Sequence, residues 1–257
     1  MNKKTQNKYF NIFINQANKW LYKDIAKKEY SYLCDRIPKD YIDLWQFGYM
    51  PNSHEHLIEF IDEFGKSIKE DPQSVLQELG IIYNYYKKLK SFFHNNTLLI
   101  PMFDVYGQPV TVSGRTMENE KFQKENGINK YKHISYSKKN NLFGLNNSYK
   151  EIIKNKCVVI VEGQFDCISG FNCGIKNIVA LSGNKLTFEQ IVLLKRFSNH
   201  FMMLLDNDEG GNLGFEKAQK QSVIYDFKLS KLSIPSGKDL NQYIIDAKTV
   251  SINDLIN

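Results

Sequence analysis

The stretch Val158-Val159-Ile160-Val161-Glu162-Gly163-Gln164-Phe165-Asp166, with its later counterpart Phe201-Met202-Met203-Leu204-Leu205-Asp206-Asn207-Asp208-Glu209-Gly210-Gly211, decides the fold. Each is a short, uninterrupted apolar run that ends in acid and glycine. Runs of this kind, separated by helical segments, read as strands buried on both faces of a mainly parallel α/β sheet. Ligands of such sheets bind at the carboxyl ends of the strands. Glu162, Asp206 and Asp208 are therefore expected on one edge, where their oxygens suit Mg2+ or Mn2+ engaged in phosphoryl chemistry.

Working outward, strands near 157–161, 177–181, 200–205 and 228–234 alternate with helices near 166–173, 187–198, 212–225 and 239–247. That alternation predicts βαβ units with right-handed crossovers. Gly163 allows a sharp turn, and Asp166 falls in the first helical turn, where the dipole favours a carboxylate. Taken alone, Asp166 reads as a helix-capping acid. Glu162 does not, because an acid at the end of a buried strand needs a partner or an ion. Asp206-x-Asp208 alone reads equally well as a polar surface loop; beside Glu162 the metal reading prevails. Asp239, in Ser236-Gly237-Lys238-Asp239, is by itself an ordinary N-cap.

Upstream, apolar residues at helical spacing (Phe10, Phe13, Ile14, Ala17, Trp20, Leu21, Ile25) predict one long amphipathic helix over about 9–32. Asn52-Ser53 and Asp71-Pro72 are start signals for two more helices. Residues 97–103, a Tyr106-Gly107 turn and 109–112 read as a β-hairpin leading into Ser113-Gly114-Arg115. Residues 117–141 are polar and Lys-rich, with Phe122, Tyr131, His133 and Tyr136 interleaved. A solvated loop accounts for much of that segment, but alternating cations and rings also suit a groove for a single nucleic-acid strand.

With 257 residues and 42% hydrophobic content, the chain has enough material for a sizeable core. A net charge of +6 favours a polyanionic partner, nucleic acid first. Cys34, Cys157, Cys167 and Cys173 form no CxxC pair, which argues against a zinc ribbon or disulfide framework. His54-Glu55-His56 is read as a helix start on the surface rather than as zinc ligands. No apolar run approaches the ~20 residues of a membrane span, and no signal-peptide pattern is present. A cytoplasmic protein without a membrane partner is expected.

Glu162-Gly163 and Asp206-Asn207-Asp208 at this spacing resemble the TOPRIM domain of bacterial primases, topoisomerases and small nucleases. The region before them narrows the resemblance. Tyr32-Leu33-x-x-Arg36, Phe47-Gly48-Tyr49-Met50-Pro51, Ile100-Pro101-Met102-Phe103-Asp104-x-x-Gly107, Ser113-Gly114-Arg115, Lys130-Tyr131, Lys138 and Leu142-Phe143-Gly144-Leu145 occur in the order seen in the RNA polymerase core of DnaG-type primases. The resemblance spans roughly residues 9–245.

It implies an α/β protein with an α+β subdomain over residues 1–150 and a TOPRIM subdomain over 151–257. It also implies that Glu162, Asp206 and Asp208 bind catalytic Mg2+ or Mn2+, with Asp166 and Asp239 supporting. Arg115, Lys130, Tyr131 and Lys138 would meet template or nucleotide phosphates. The activity implied is synthesis of short RNA primers on a single-stranded DNA template from ribonucleoside triphosphates. Phage, plasmid or other mobile-element replication is a setting that so stripped a core would suit, and the sequence leaves chromosomal, plasmid or phage origin open. The family's zinc ribbon and helicase-binding domain are not in this sequence, so a replicative helicase or a separate zinc-containing, template-reading subunit is an expected partner. Two departures stand out: Phe92-Phe93-His94-Asn95-Asn96-Thr97 replaces a stretch usually rich in arginine, and Asn241 replaces an acid. A metal-dependent TOPRIM nuclease and a non-catalytic single-strand-binding subunit are the rival readings.

Overall fold

The computed structural model describes residues 1–183, 185–235, 237 and 239–247. Ser236 and Lys238, in the turn before the last expected helix, lie outside the described residues. The chain divides into two compact units, Met1–Met102 with Gln108–Tyr136, and Phe103–Gly107 with Ser137–Asn257.

The first unit opens with α1 (Lys3–Leu21), whose start is capped by the Asn2 side chain accepting from the Thr5 amide at 2.9 Å. The expected single helix over 9–32 is broken. Tyr22 ends α1, Lys23 is extended (φ −80°, ψ 152°), and α2 (Lys27–Cys34) follows a 3-10 turn. The break folds Lys23 back, placing its Nζ 3.7 Å from the Trp20 ring centroid and within 2.9 and 2.8 Å of Glu59 and Glu63. An extended residue between two apolar turns leaves no gap in the apolar spacing, which is why the pattern reads through it.

Then come α3 (Lys39–Leu44), β1 (Gly48–Tyr49), α4 (His54–Gly65) and α5 (Pro72–Glu78), the last two capped by Ser53 and Asp71. Phe13 and Trp20 of α1 meet Phe60 of α4 edge-on, at 5.9 and 5.4 Å between centroids. A hairpin of β2 (Ile82–Tyr85) and β3 (Lys88–Ser91) precedes β4 (Leu98–Phe103), β5 (Pro109–Arg115), α6 (Glu120–Asn126) and β6 (Tyr131–His133). The main sheet of this unit has the order β1-β4-β5-β6. A Cβ on Gly114 would lie 2.4 Å from both the Asn96 carbonyl oxygen and the Phe93 ring, so only glycine fits between Ser113 and Arg115.

The second unit holds α7 (Leu145–Asn155), β7 (Val158–Val161), α8 (Gln164–Asn172), β8 (Ile178–Ala180), α9 (Phe188–Lys195), β9 (His200–Met203), α10 (Glu209–Ile224), β10 (Lys228–Lys231) and α11 (Leu240–Ala247). Its four strands are parallel, in the order β10-β9-β7-β8. Val158 and Ile160 of β7 and Phe201 and Met203 of β9 share a core with Ile152, Ile191, Leu194 and Ala218 from α7, α9 and α10. On the opposite face α8 lies close to β8 and α11, and a Cβ on Gly170 would meet Ile178 at 2.6 Å and Leu240 at 3.1 Å. The α/β fold class expected from the sequence is the one observed.

Candidate active site

Strand order places the site. From β7 the chain passes through α8 to β8 on one side; from β9 it passes through α10 to β10 on the other. The crossovers diverge between β7 and β9, and the crevice beyond the carboxyl ends of such a strand pair is where open α/β sheets bind ligands. Glu162 follows β7 directly, and Asp206 follows β9 by three residues.

Here the two acids are physically joined. The Asp206 amide donates to Glu162 Oε1 over 3.1 Å. Burial pushes the Glu162 carboxyl above its ordinary value; the Asp206 amide opposes that shift, while the charges of Asp206 and Asp208 add to it. Asp208 is extended and exposed, and its Oδ1 accepts from the Gly211 amide at 2.9 Å, capping α10. Gly211 is required for this turn, because a Cβ there would stand 2.1 Å from the Asp206 carbonyl oxygen. A small cleft of about 70 Å³ opens beside Asp206, lined in part by Asn207, Gly211, Phe215 and Lys231.

Asp166 sits in the first turn of α8 and is buried, 8% exposed. Its Oδ1 accepts from the Asn241 amide at 2.9 Å, while Ser169 Oγ donates to Asn241 Oδ1 at 2.8 Å. Burial is the main cause lifting its carboxyl to about 7, with the charges of Asp239 and Asp206 adding to the shift. Asp239 caps α11, its Oδ1 accepting from the Gln242 amide at 2.8 Å. Asn241, read from sequence as a departure, is thus a structural link between α8 and α11. No local pattern signals it, since its partner is 75 residues away.

Among the described residues, no three His, Cys, Asp or Glu side chains gather into a cage for an ion. The donor set nonetheless suits Mg2+, which takes one or two carboxylates and fills its remaining positions with water and substrate phosphate. Glu162 and Asp208 have no ion-pair partner among the described residues.

The basic candidates divide between the units. In the first, Arg115 ends β5 and pairs across the sheet with Tyr131, with exposed Lys130 just before it. Tyr32 and Arg36, quoted above only as markers of resemblance, join them: the Tyr32 ring lies 3.8 Å from the Arg36 guanidinium and 4.5 Å from that of Arg115. Tyr131 stacks on His133 at 6.4 Å and 13°. In the second unit, exposed Lys138 begins a 3-10 turn whose carbonyl oxygen accepts from Gln190 Nε2 at 3.2 Å. No helix of the described residues is long and apolar enough to cross a membrane.

A family model described as the DNA primase catalytic core, N-terminal domain, matches residues 16–149, and a Toprim-like model matches 159–244. The DNA primase of Clostridium acetobutylicum is 29% identical over 249 residues, covering 95% of this chain. The chain spans 39% of that relative's length. The RNA polymerase domain of the Mycobacterium tuberculosis primase DnaG superposes with a TM-score of 0.84 at 19% identity, over 99% of this chain and 83% of that one. A DnaG primase catalytic domain solved bound to single-stranded DNA superposes with a TM-score of 0.78 at 19% identity, over 95% of this chain and 77% of that one.

Proposed function

Because the chain belongs to the DNA primase catalytic-core family, whose N-terminal-domain model accounts for residues 16–149, we propose that it is a polymerising core that makes short RNA primers. Its substrates would be ribonucleoside triphosphates and its template single-stranded DNA, a polymer that a related DnaG catalytic domain has been solved with. The observation that carries this reading is the hydrogen bond from the Asp206 amide to Glu162, which ties two acids together at the point where the sheet's crossovers diverge.

Glu162, Asp206 and Asp208 would hold Mg2+ or Mn2+, with Asp166 and Asp239 supporting them. Bound divalent ions would lower the pKa of the attacking 3′-hydroxyl and neutralise the departing pyrophosphate. Glu162, fixed by the Asp206 amide, keeps its oxygens oriented without reorganisation during the reaction. Asp208, held by its Oδ1 cap on α10, would offer its second oxygen to the ion. Arg115, Lys130 and Lys138 would neutralise phosphates, and Tyr131 offers a ring for a base. A replicative helicase or a zinc-containing, template-reading subunit is the protein partner this reading suggests, and the cytoplasm is its setting.

The test incubates the chain with mixed-sequence single-stranded DNA, labelled ribonucleotides and Mg2+ or Mn2+, and sizes all products. Short labelled RNA, lost in Arg115→Ala and Lys138→Ala, supports polymerisation. Shortened DNA without RNA, unaffected by those substitutions, would replace this reading with a nuclease.

A further inference from the structure

The β2–β3 hairpin, outside every motif discussed so far, carries an unusual surface. The register pairs Tyr83 with Lys90 and Tyr85 with Lys88. Residues paired across a hairpin point to the same side, so two rings and two ammonium groups share one face. The other face carries Ile82 and Ser91, both buried, and anchors the hairpin. Tyr83 is 40% exposed, Tyr85 50% and Tyr86 85%. Large rings left this open are not serving the core.

The turn sharpens the point. Tyr86 and Lys87 lie in the left-handed region, at φ 45° and 60°. Two-residue turns of this kind favour Asn and Gly, because a side chain there is strained. Tyr86, in this left-handed turn, meets the Tyr85 ring edge-on at 4.6 Å between centroids and is otherwise largely open to solvent. Lys90 Nζ sits 4.8 Å from the Tyr85 ring centroid, holding cation and ring side by side.

Charge then selects the partner. No Asp or Glu occurs from Leu79 to Phe103. Lys87, Lys88 and Lys90 make no ion pair among the described residues. Exposed rings alternating with unneutralised ammonium groups are what a single strand needs, with bases stacking and phosphates paired to lysine.

We propose that the β2–β3 hairpin is an additional binding platform for single-stranded nucleic acid, with Tyr83, Tyr85 and Tyr86 stacking on bases and Lys87, Lys88 and Lys90 on phosphates. This deepens the reading of the chain as a template-copying enzyme and rests on it for the choice of single-stranded DNA as probe. The test measures binding of the full chain to fluorescently labelled oligo(dT) over a range of salt. Substituting Lys87, Lys88 and Lys90 together by Gln should lower the slope of log affinity against log salt by about 2, from ~0.7 for each of the phosphates released. Replacing Tyr85 and Tyr86 by Ala should weaken binding about tenfold or more at every salt with little change of slope, whereas Tyr85→Phe, which keeps the ring, should bind as the parent does. Glu162→Gln should bind with the full slope while losing RNA synthesis, so failure of the hairpin and failure of the polymerase reading are separable. Parental affinity and slope in the lysine and alanine variants, with unchanged melting temperatures, would overturn the proposal, as would a parent chain that does not bind oligo(dT).

Discussion

The Asp206 amide donates a 3.1 Å hydrogen bond to Oε1 of Glu162, so the acid that ends β7 is held by the backbone of the loop that follows β9. Glu162→Gln keeps an oxygen at this position and removes only the charge. Its stability should stay within about 0.5 kcal/mol of the parent, while Glu162→Ala, which leaves the partly buried amide without this acceptor, should cost about 1–3 kcal/mol. Nucleotide addition should fall at least about 100-fold in both, since the charge is lost in both. Urea denaturation beside a turnover assay reads the two effects separately; a Gln variant as active as the parent would remove Glu162 from the chemistry.

Asp208 caps α10 and, on this account, also holds the ion, and substitution can divide the two. Its Oδ1 caps α10 through the Gly211 amide at 2.9 Å, and Asn caps as well as Asp. Asp208→Asn should therefore preserve the metal-free melting temperature, whereas Asp208→Ala should lose about 1 kcal/mol. Saturating Mg2+ should stabilise the parent, by about 2.7 kcal/mol at 100 times its dissociation constant, and stabilise Asp208→Asn less. Equal Mg2+-induced shifts in melting temperature would detach Asp208 from the ion.

Gly211 is confined by its neighbour rather than by its torsions. A Cβ would sit 2.1 Å from the Asp206 carbonyl oxygen, so Gly211→Ala must move the loop that carries both aspartates. A loss of about 1–3 kcal/mol is expected, together with loss of Mg2+ stabilisation. Gly183, with nothing within 4 Å of its added Cβ, is the control and should accept Ala without comparable cost.

Stability should also record a buried acid far from these aspartates in sequence. Glu29 is 6% exposed and accepts from Thr97 Oγ1 at 2.5 Å. Burial pushes its carboxyl above the ordinary 4.5, with the Thr97 hydroxyl opposing the shift. Between the ordinary and the raised value the folded chain binds more protons than the unfolded one, so this group's contribution falls as pH rises above about 4.5. Urea midpoints of Glu29→Gln should gain on the parent as pH climbs toward neutrality. Parallel profiles would assign the pH dependence elsewhere.

The second unit's sheet was legible because buried parallel strands are written as unbroken apolar runs, and Val158–Val161 and Phe201–Met203 carry no other signal. Glu162 and Asp206 were legible for the same reason, as acids at the ends of those runs. What stayed hidden depends on geometry that composition does not encode. The break at Tyr22-Lys23 lies within a continuous apolar period. The β2–β3 hairpin turns on Tyr86-Lys87 instead of the Asn-Gly that marks such turns, so the stretch shows no turn signal. Asn241's bond to Asp166 and the meeting of Tyr32 with Arg115 join residues far apart in sequence, and only the folded chain brings them together.

The most direct test of the central claim, that Glu162, Asp206 and Asp208 form the ion-dependent centre of an RNA-synthesising enzyme, is labelled ribonucleotide incorporation on single-stranded DNA. The parent chain, Glu162→Gln and Asp208→Asn would be run in parallel with Mg2+, with Mn2+ and with chelator. Short RNA from the parent alone, made only with a divalent ion, is the result expected. RNA made equally by the parent and both variants, or made in chelator, would contradict the account.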